Sequence, residues 1–441
     1  MGGFMAYKSV MMHYLERDFS EPFRDPVWGD IALSLPFKAL TGSSAFQHLA
    51  GIRQLGPAYL VYPGAVHTRL AHSLGVFHMA RRLLLLLTRS NDQLFLEKEE
   101  MNIFLAAALF HDLGHFPFAH SLKELPLADH EALTGEIVSE GELSRMIPEQ
   151  LGISGEDVAL VVDENLPLPE NRKGKLITFF RSLLSGVLDP DKLDYLNRDA
   201  FFCGVPYGYQ DVDNILARTC YIPSLEGDNF GRIGVDQVGT MAVENLLFSK
   251  YLMYRSVYWH RTVRIATAMI KQAVLLALTE GKIKPEMLYY VDDATFFRRT
   301  SDSDYPPFSL VDRVIHRRLF KTVFEGSVDD TTHLPSDPQE RLEASIKAAG
   351  RLSTKLGLPV RPEEIIADIP EPISFETALP VWSGEDQASL PFPESGTVFS
   401  SELVKGFSHT LRKVRIFLPP GLAEKSCEAG LCSRDMLELF L

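Results

Sequence analysis

The stretch LFHDLGHFPFAH, Leu109 to His120, places His111, Asp112, His115 and His120 directly after the apolar run IFLAAAL. A buried imidazole needs a hydrogen-bond partner or a metal, so this density at the end of an apolar helix points to a site rather than to packing. Three other pieces carry the same residue types: HTRLAHSLG (His67, Arg69, His72), DHEAL (Asp129, His130, Glu131) and DPDKLDYLNRD (Asp189 to Asp199). Imidazoles with carboxylates suit a divalent ion such as Mn, Mg, Fe, Ni or Zn. A set of two His and two Asp leaves coordination positions open for water and substrate. Hydrolysis needs that opening, because the ion makes a nucleophile of water at neutral pH. In the last piece Asp191, Tyr195 and Asp199 recur every fourth residue and share one helical stripe, with Lys192 and Arg198 beside it. One face then offers a metal ligand, a ring for a sugar and a carboxylate for a hydroxyl. Residue type and spacing leave His67 and His72 as equals, and likewise Asp189, Asp191 and Asp194.

The elements that must hold these pieces are mostly helices. FRDPVWGDIALS reads as a β-hairpin or extended arm, because Asp25-Pro26 and Gly29-Asp30 flank an alternating segment. A helix is expected from Ser44, closing on Gly56, followed by a strand-like AYLVYP and a long helix from about His67 to Leu87. The next begins near Glu97 and enters the histidine motif, with Pro117 as its break. Asp189 suits an N-cap and Pro190 the first helical position. A single apolar helix is expected from Met241 to Thr279. After about residue 285 the chain turns polar and proline-bearing, and EEIIADIP, GTVFSS and KVRIFLPP read as short strands. The expected class is mainly α: a helical core with its hairpin over residues 1–285, a small α+β lobe over 310–420, and a tail over 421–441.

Composition agrees with a globular chain: of 441 residues, 46% are hydrophobic and 23% charged. The net charge of −14 makes nucleic acid an unfavoured main partner, so a polyanionic substrate must be gripped by a local cluster of Lys, Arg and metal. Apolar runs such as RRLLLLLTR fall short of the ~20 residues that cross a bilayer, and the first residues carry no signal-peptide pattern. No membrane partner is expected, and a cytoplasmic location is. The four cysteines read as free thiols.

Taken together, the four pieces resemble the HD-domain superfamily of metal-dependent phosphohydrolases. FQHLAGIRQLGPAYLVYPGAVHTRLAHSLGV, LFHDLGHFPFAHSLKE and LDPDKLDYLNRDAFFCGV are similar to its deoxynucleoside triphosphate triphosphohydrolase branch. FRDPVWGDIAL is similar to that branch's entry segment, with Trp28 where a histidine is usual, and YRSVYWHRTV to its Tyr-x-His-Lys/Arg helix. The resemblance spans roughly residues 23–270. It implies an HD-type helical core and metal ligands His72, His111, Asp112 and Asp191. It implies further that Arg69 and Lys192 hold phosphate, that His120 is the general acid, and that His115 and His130 bind phosphate or orient partners. Gln54 and Leu55 would flank the sugar, Tyr195 and Asp199 would supply its platform and 3'-hydroxyl partner, Tyr258 would lie near sugar or base, and Lys250 near the terminal phosphates. The implied reaction converts a (deoxy)nucleoside triphosphate to nucleoside and tripolyphosphate, in a homo-oligomer, a dimer or tetramer. Gly42 and Ala50 replace the residues that vertebrate members use for nucleotide activation, so that property does not carry over, and Trp259 leaves base preference open. The same residues would also serve a nucleotide phosphatase or phosphodiesterase, or a low-turnover nucleotide sensor.

Overall fold

The structure, a computed structural model, describes residues 2–90, 94–224, 230–327, 335, 337–383 and 388–440. Helix makes up 59% and strand 12%, so the architecture is mainly α, with small sheets joined to a helical core and an α+β C-terminal region. The core is built on three helices. Arg69–Ser90 packs against both Lys98–Phe110 and Pro190–Cys203, and Phe77, Phe104 and Phe110 are fully buried around that contact. By length and composition, Arg69–Arg89 and Arg261–Thr279 could each cross a membrane, which the shorter apolar runs did not suggest. Yet 61% and 72% of their apolar windows are buried inside the fold, as befits core helices.

Glu97 caps the Lys98–Phe110 helix in a reciprocal box with Glu100, and the helix ends with His111 as its C-cap. The expected break at Pro117 is therefore corrected: the helix stops seven residues earlier, and Phe118 at φ 63 turns the chain into the short helix Ala119–Leu122. The helix expected from Ser44 to Gly56 is Ser44–His48 followed by a 3-10 turn, Leu49–Gly51. It ends because Ile52 becomes extended and Arg53 forms an antiparallel bridge with Thr68. AYLVYP is no strand, since Gly56 at φ +48 and Pro57 start a 3-10 turn, Gly56–Leu60. The single helix expected over 241–279 is two, Thr240–Met253 and Arg261–Thr279. Between them lies a π-helical turn, Tyr254–Tyr258, after which His260 leaves the helical region and caps Thr262. GTVFSS forms no strand; its last residue begins the helix Ser401–Leu411.

Strands Phe19–Asp25 and Gly29–Ser34 form the expected hairpin. Thr219–Ile222, Arg232–Asp236, Pro380–Ser383 and Ala388–Pro391 form one sheet, in which Val235 pairs with Val381 in parallel. Lys321–Ser327, Lys413–Leu418 and Ile366–Asp368 form another. These pairings bring residues 366–383 back onto the helical core.

Candidate active site

Three helices deliver four side chains to one point. His72 lies one turn into Arg69–Ser90, His111 and Asp112 follow the end of Lys98–Phe110, and Asp191 is in the first turn of Pro190–Cys203, whose N-cap is Asp189 as expected. His72 Nε2 is 2.9 Å from Asp191 Oδ1 and 3.9 Å from Asp112 Oδ2, and His111 Nε2 is 3.4 Å from Asp112 Oδ1 and 3.9 Å from Asp191 Oδ1. His72, His111 and Asp112 each offer a donor atom within 4.8 Å of the others. The donor set fits a divalent cation. His111 Nδ1 lies 3.0 Å from the Ala108 carbonyl, which makes it the protonated nitrogen. That leaves Nε2, a buried atom with no hydrogen-bond partner, aimed into the cluster.

The geometry also separates the alternatives that spacing left open. His67 is turned away, with Nε2 2.8 Å from Asp199 and its ring stacked on Phe202. Asp189 accepts from the backbone N–H and the ammonium of Lys192. Asp194 accepts from His72 Nδ1 at 2.8 Å, behind the cluster.

Family models match on both sides of this geometry: an HD domain over residues 69–191 and an HD associated region over residues 229–391. The chain is 32% identical over 308 residues to YwfO of Bacillus subtilis, an uncharacterised protein, an alignment covering 64% of this chain and 67% of YwfO. The chain belongs to the HD-domain phosphohydrolase superfamily. It is also 25% identical over 471 residues to the Bos taurus deoxynucleoside triphosphate triphosphohydrolase SAMHD1, covering 96% of this chain and 77% of that one. A crystal structure of a phosphohydrolase from Bacteroides thetaiotaomicron shares the fold, with TM-score 0.69 at 23% identity, over 90% of this chain and 99% of that one. The superfamily is divalent-metal dependent, in agreement with the fit of this cluster.

Around the HD cluster, charge is closely paired. Arg69 Nη1 donates to Asp112 Oδ2 at 2.6 Å, both side chains buried. Burial opposes ionisation of Asp112, but Arg69 and the neighbouring imidazoles hold its carboxyl well below the usual range. Burial likewise opposes a charged His72, yet hydrogen bonds to Asp191 and Asp194 outweigh burial and raise it to about 10. Asp194 is fixed in turn by Arg198, through Nε at 2.9 Å and Nη2 at 3.0 Å, and by the indole N–H of Trp28. Arg198 Nη1 reaches Asp25 at 2.7 Å, and Asp25 caps the hairpin turn by accepting from the N–H groups of Val27 and Trp28. The hairpin thus reaches His72 through Arg198 and Asp194. Asp25 was not singled out as a site residue from sequence, whereas Asp194 entered there as an equal of Asp191 and Arg198 as a neighbour of its stripe; their i, i+4 spacing was the available signal for the pair.

His115, His120 and His130 form a second cluster beside the first. His115 Nδ1 lies 3.1 Å from Asp112 Oδ1, and its Nε2 is 3.1 Å from His120 Nε2. The His115 and His130 rings are 4.0 Å apart between centroids. Burial, reinforced by mutual repulsion and by Arg69, lowers all three, His130 to about 3, which favours neutral imidazoles at pH 7.

A cavity of about 670 Å³ opens over both clusters. Gln54, Leu55, Arg69, Lys192, Tyr195, Asp199, Lys250 and Tyr258 line it with His72, His111, Asp112, Asp191, His120 and His130. His115 does not reach its wall and instead connects Asp112 to His120. The π-helical turn brings Tyr254, Tyr258 and Trp259 to the lining. Tyr258 donates to Asp199 Oδ2 at 2.7 Å, while His67 holds Oδ1. Gln54 Oε1 is buried without a partner. Glu376 and the segment before it, not singled out from sequence, line the cavity from the C-terminal side.

Proposed function

We propose that the chain hydrolyses (deoxy)nucleoside triphosphates to nucleoside and tripolyphosphate. The observation that carries this reading is one cavity that joins the His/Asp cluster to two buried lysines and to a stripe of tyrosines. His72, His111, Asp112 and Asp191 would hold the divalent cation, which supplies, when bound, a water-derived nucleophile at neutral pH. Arg69, already paired with Asp112, lies where it can neutralise charge on the reacting phosphate, and Lys192 and Lys250 where they can take the following phosphates. His120 would protonate the departing 5'-oxygen. Burial first, and then His115 and Arg69, favour its neutral form, so entry of phosphate charge must raise its proton affinity before it can act. His130 would help bind the phosphates, and His115, lying between Asp112 and His120, would orient the acid.

Tyr195 and Tyr258 would flank the sugar, with their rings 6.4 Å apart between centroids, and Asp199 retains lone pairs for a 3'-hydroxyl beside its two protein bonds. Gln54 Oε1, buried and unpartnered, is an acceptor suited to a ligand hydroxyl, with Leu55 alongside. The similarity to SAMHD1, whose name states this activity, supports the same reading. A cytoplasmic location and a homo-oligomeric state, dimer or tetramer, belong to the proposal, and light scattering of the purified protein checks the latter.

Chromatography of products from a panel of the four dNTPs, with Mn or Mg supplied, tests the function. Nucleoside and tripolyphosphate are expected in equal amounts. Release of inorganic phosphate alone would replace this reading with a nucleotide phosphatase.

A further inference from the structure

Residues 369–379 cross the cavity as an irregular strap whose ends are pinned by different sheets. Ile366–Asp368 pairs with Lys413–Leu418 at one end, and Pro380–Ser383 pairs with Arg232–Asp236 at the other. One edge is tied down by Arg412 Nε, which donates to the Pro370 carbonyl at 2.6 Å, and by Ser408 Oγ, which donates to the Ile373 carbonyl at 2.7 Å. The cavity edge is held by the two lysines instead. Lys250 Nζ donates to the Ser374 carbonyl at 2.9 Å and lies 5.6 Å from the centre of the Phe375 ring. Glu376 reaches Lys192 Nζ at 2.8 Å and stands 4.0 Å from Lys250 Nζ.

We propose that Glu376 is a displaceable internal ligand of Lys192 and Lys250, occupying the place of substrate phosphates and leaving when a polyphosphate arrives. This rests on the reading that these lysines take phosphate. The lysine side chains are only 11% and 7% exposed. Lys192 keeps the buried Asp189 carboxylate at 2.6 Å as a permanent partner, so Glu376 is its second anion. For Lys250, a buried ammonium that is costly to leave uncompensated, Glu376 at 4.0 Å is the neighbouring carboxylate. Glu376 is 39% exposed and carried on irregular backbone, so it returns to water at little cost. A polyphosphate brings several charges and many acceptor oxygens against one carboxylate, and so can take both lysines at once. Ligands with little phosphate charge do not displace Glu376 and stay excluded, which makes it a determinant of substrate class.

Calorimetric titration of the full-length, metal-loaded protein with tripolyphosphate tests this. Glu376→Gln should bind about 10-fold more tightly than wild type, whereas Glu371→Gln, on the same strap, should change affinity by less than about 2-fold. In unmodified protein, carbodiimide labelling of Glu376 should increase when tripolyphosphate is added, a readout independent of any variant's folding. Lys192→Ala should lose about 10-fold in affinity. If Lys192→Ala weakens binding while Glu376→Gln matches wild type or Glu371→Gln, or if labelling of Glu376 does not rise, the internal ligand is overturned and the phosphate site stands. If Lys192→Ala binds as wild type does, the phosphate reading fails and the proposal falls with it.

Discussion

Asp194 takes the Nδ1 hydrogen of His72 at 2.8 Å and leaves Nε2 facing Asp191 and Asp112. A carboxylate behind a histidine fixes its tautomer and ring angle and raises its basicity as a ligand. Asp194 itself is held below the usual carboxylate range: burial opposes the charge, and Arg198 and His72 outweigh it. Asp194→Asn keeps the size but weakens this support. Metal affinity should fall about 10- to 100-fold, measured by titrating Mn into chelator-treated protein. An unchanged affinity would remove Asp194 from the metal's support.

His120→Gln should separate binding from chemistry. The residue lines the cavity, so its loss as proton donor should lower kcat by about 10²- to 10⁴-fold, with KM much less affected. Tyr258→Phe, by contrast, removes a hydrogen bond to Asp199 at the sugar end and should act mainly on KM. Steady-state kinetics on both variants checks the division; a KM effect alone in His120→Gln would make it a binding residue.

Buried neutral histidines make stability depend on pH. Burial, followed by Arg82 and Arg81, lowers His78 to about 4, and burial, followed by His120, lowers His130 to about 3. Unfolded histidine binds its proton near 6.5, so the unfolded state takes up more protons than the native state below that pH. The share of stability linked to these two groups is therefore intact above about pH 6.5 and is lost as pH falls towards about 4 for His78 and about 3 for His130. With solvent screening allowed for, each group contributes on the order of 2 kcal/mol, a sizeable part of a typical total. Urea unfolding between pH 8 and 4.5 should show midpoints that decline below pH 6.5. His78→Phe keeps a ring against Trp28 and should flatten part of that decline.

The metal cluster was more legible in the sequence than its support. Asp189 and Pro190 announced the start of their helix, and the i, i+4 stripe of Asp191, Tyr195 and Asp199 came out on the cavity as local periodicity requires. What spacing alone could not resolve was which carboxylate faced the site, because Asp191 and Asp194 lie three residues apart on one helix. Only the partner across the interface, His72 Nδ1, separates them. The π-helical turn was illegible for a similar reason, since a one-residue change of hydrogen-bond register leaves an apolar pattern intact. Glu376 was hidden by distance: 184 positions separate it from Lys192, and a pairing of strands from different parts of the chain brings the strap over the site.

Gly75 offers a test of how tightly the support is packed. It lies three residues after His72 on the same helix, and a Cβ there would stand 1.8 Å from Asp194 Oδ1 and 2.6 Å from Arg198 Nη2. Neither atom can easily yield. Asp194 is held by His72, Arg198 and Trp28, and Arg198 is fully buried and tied to Asp25. Alanine favours a helix over glycine by about 1 kcal/mol, so on propensity alone Gly75→Ala would stabilise the protein. The clash should win, because overpacking a rigid core costs about 1 to 3 kcal/mol and here also disturbs a buried charge network. Thermal melting should therefore show a lower midpoint, accompanied by a loss of Mn affinity comparable to that of Asp194→Asn. A variant that melts higher while binding Mn normally would show that Asp194 and Arg198 have room to move.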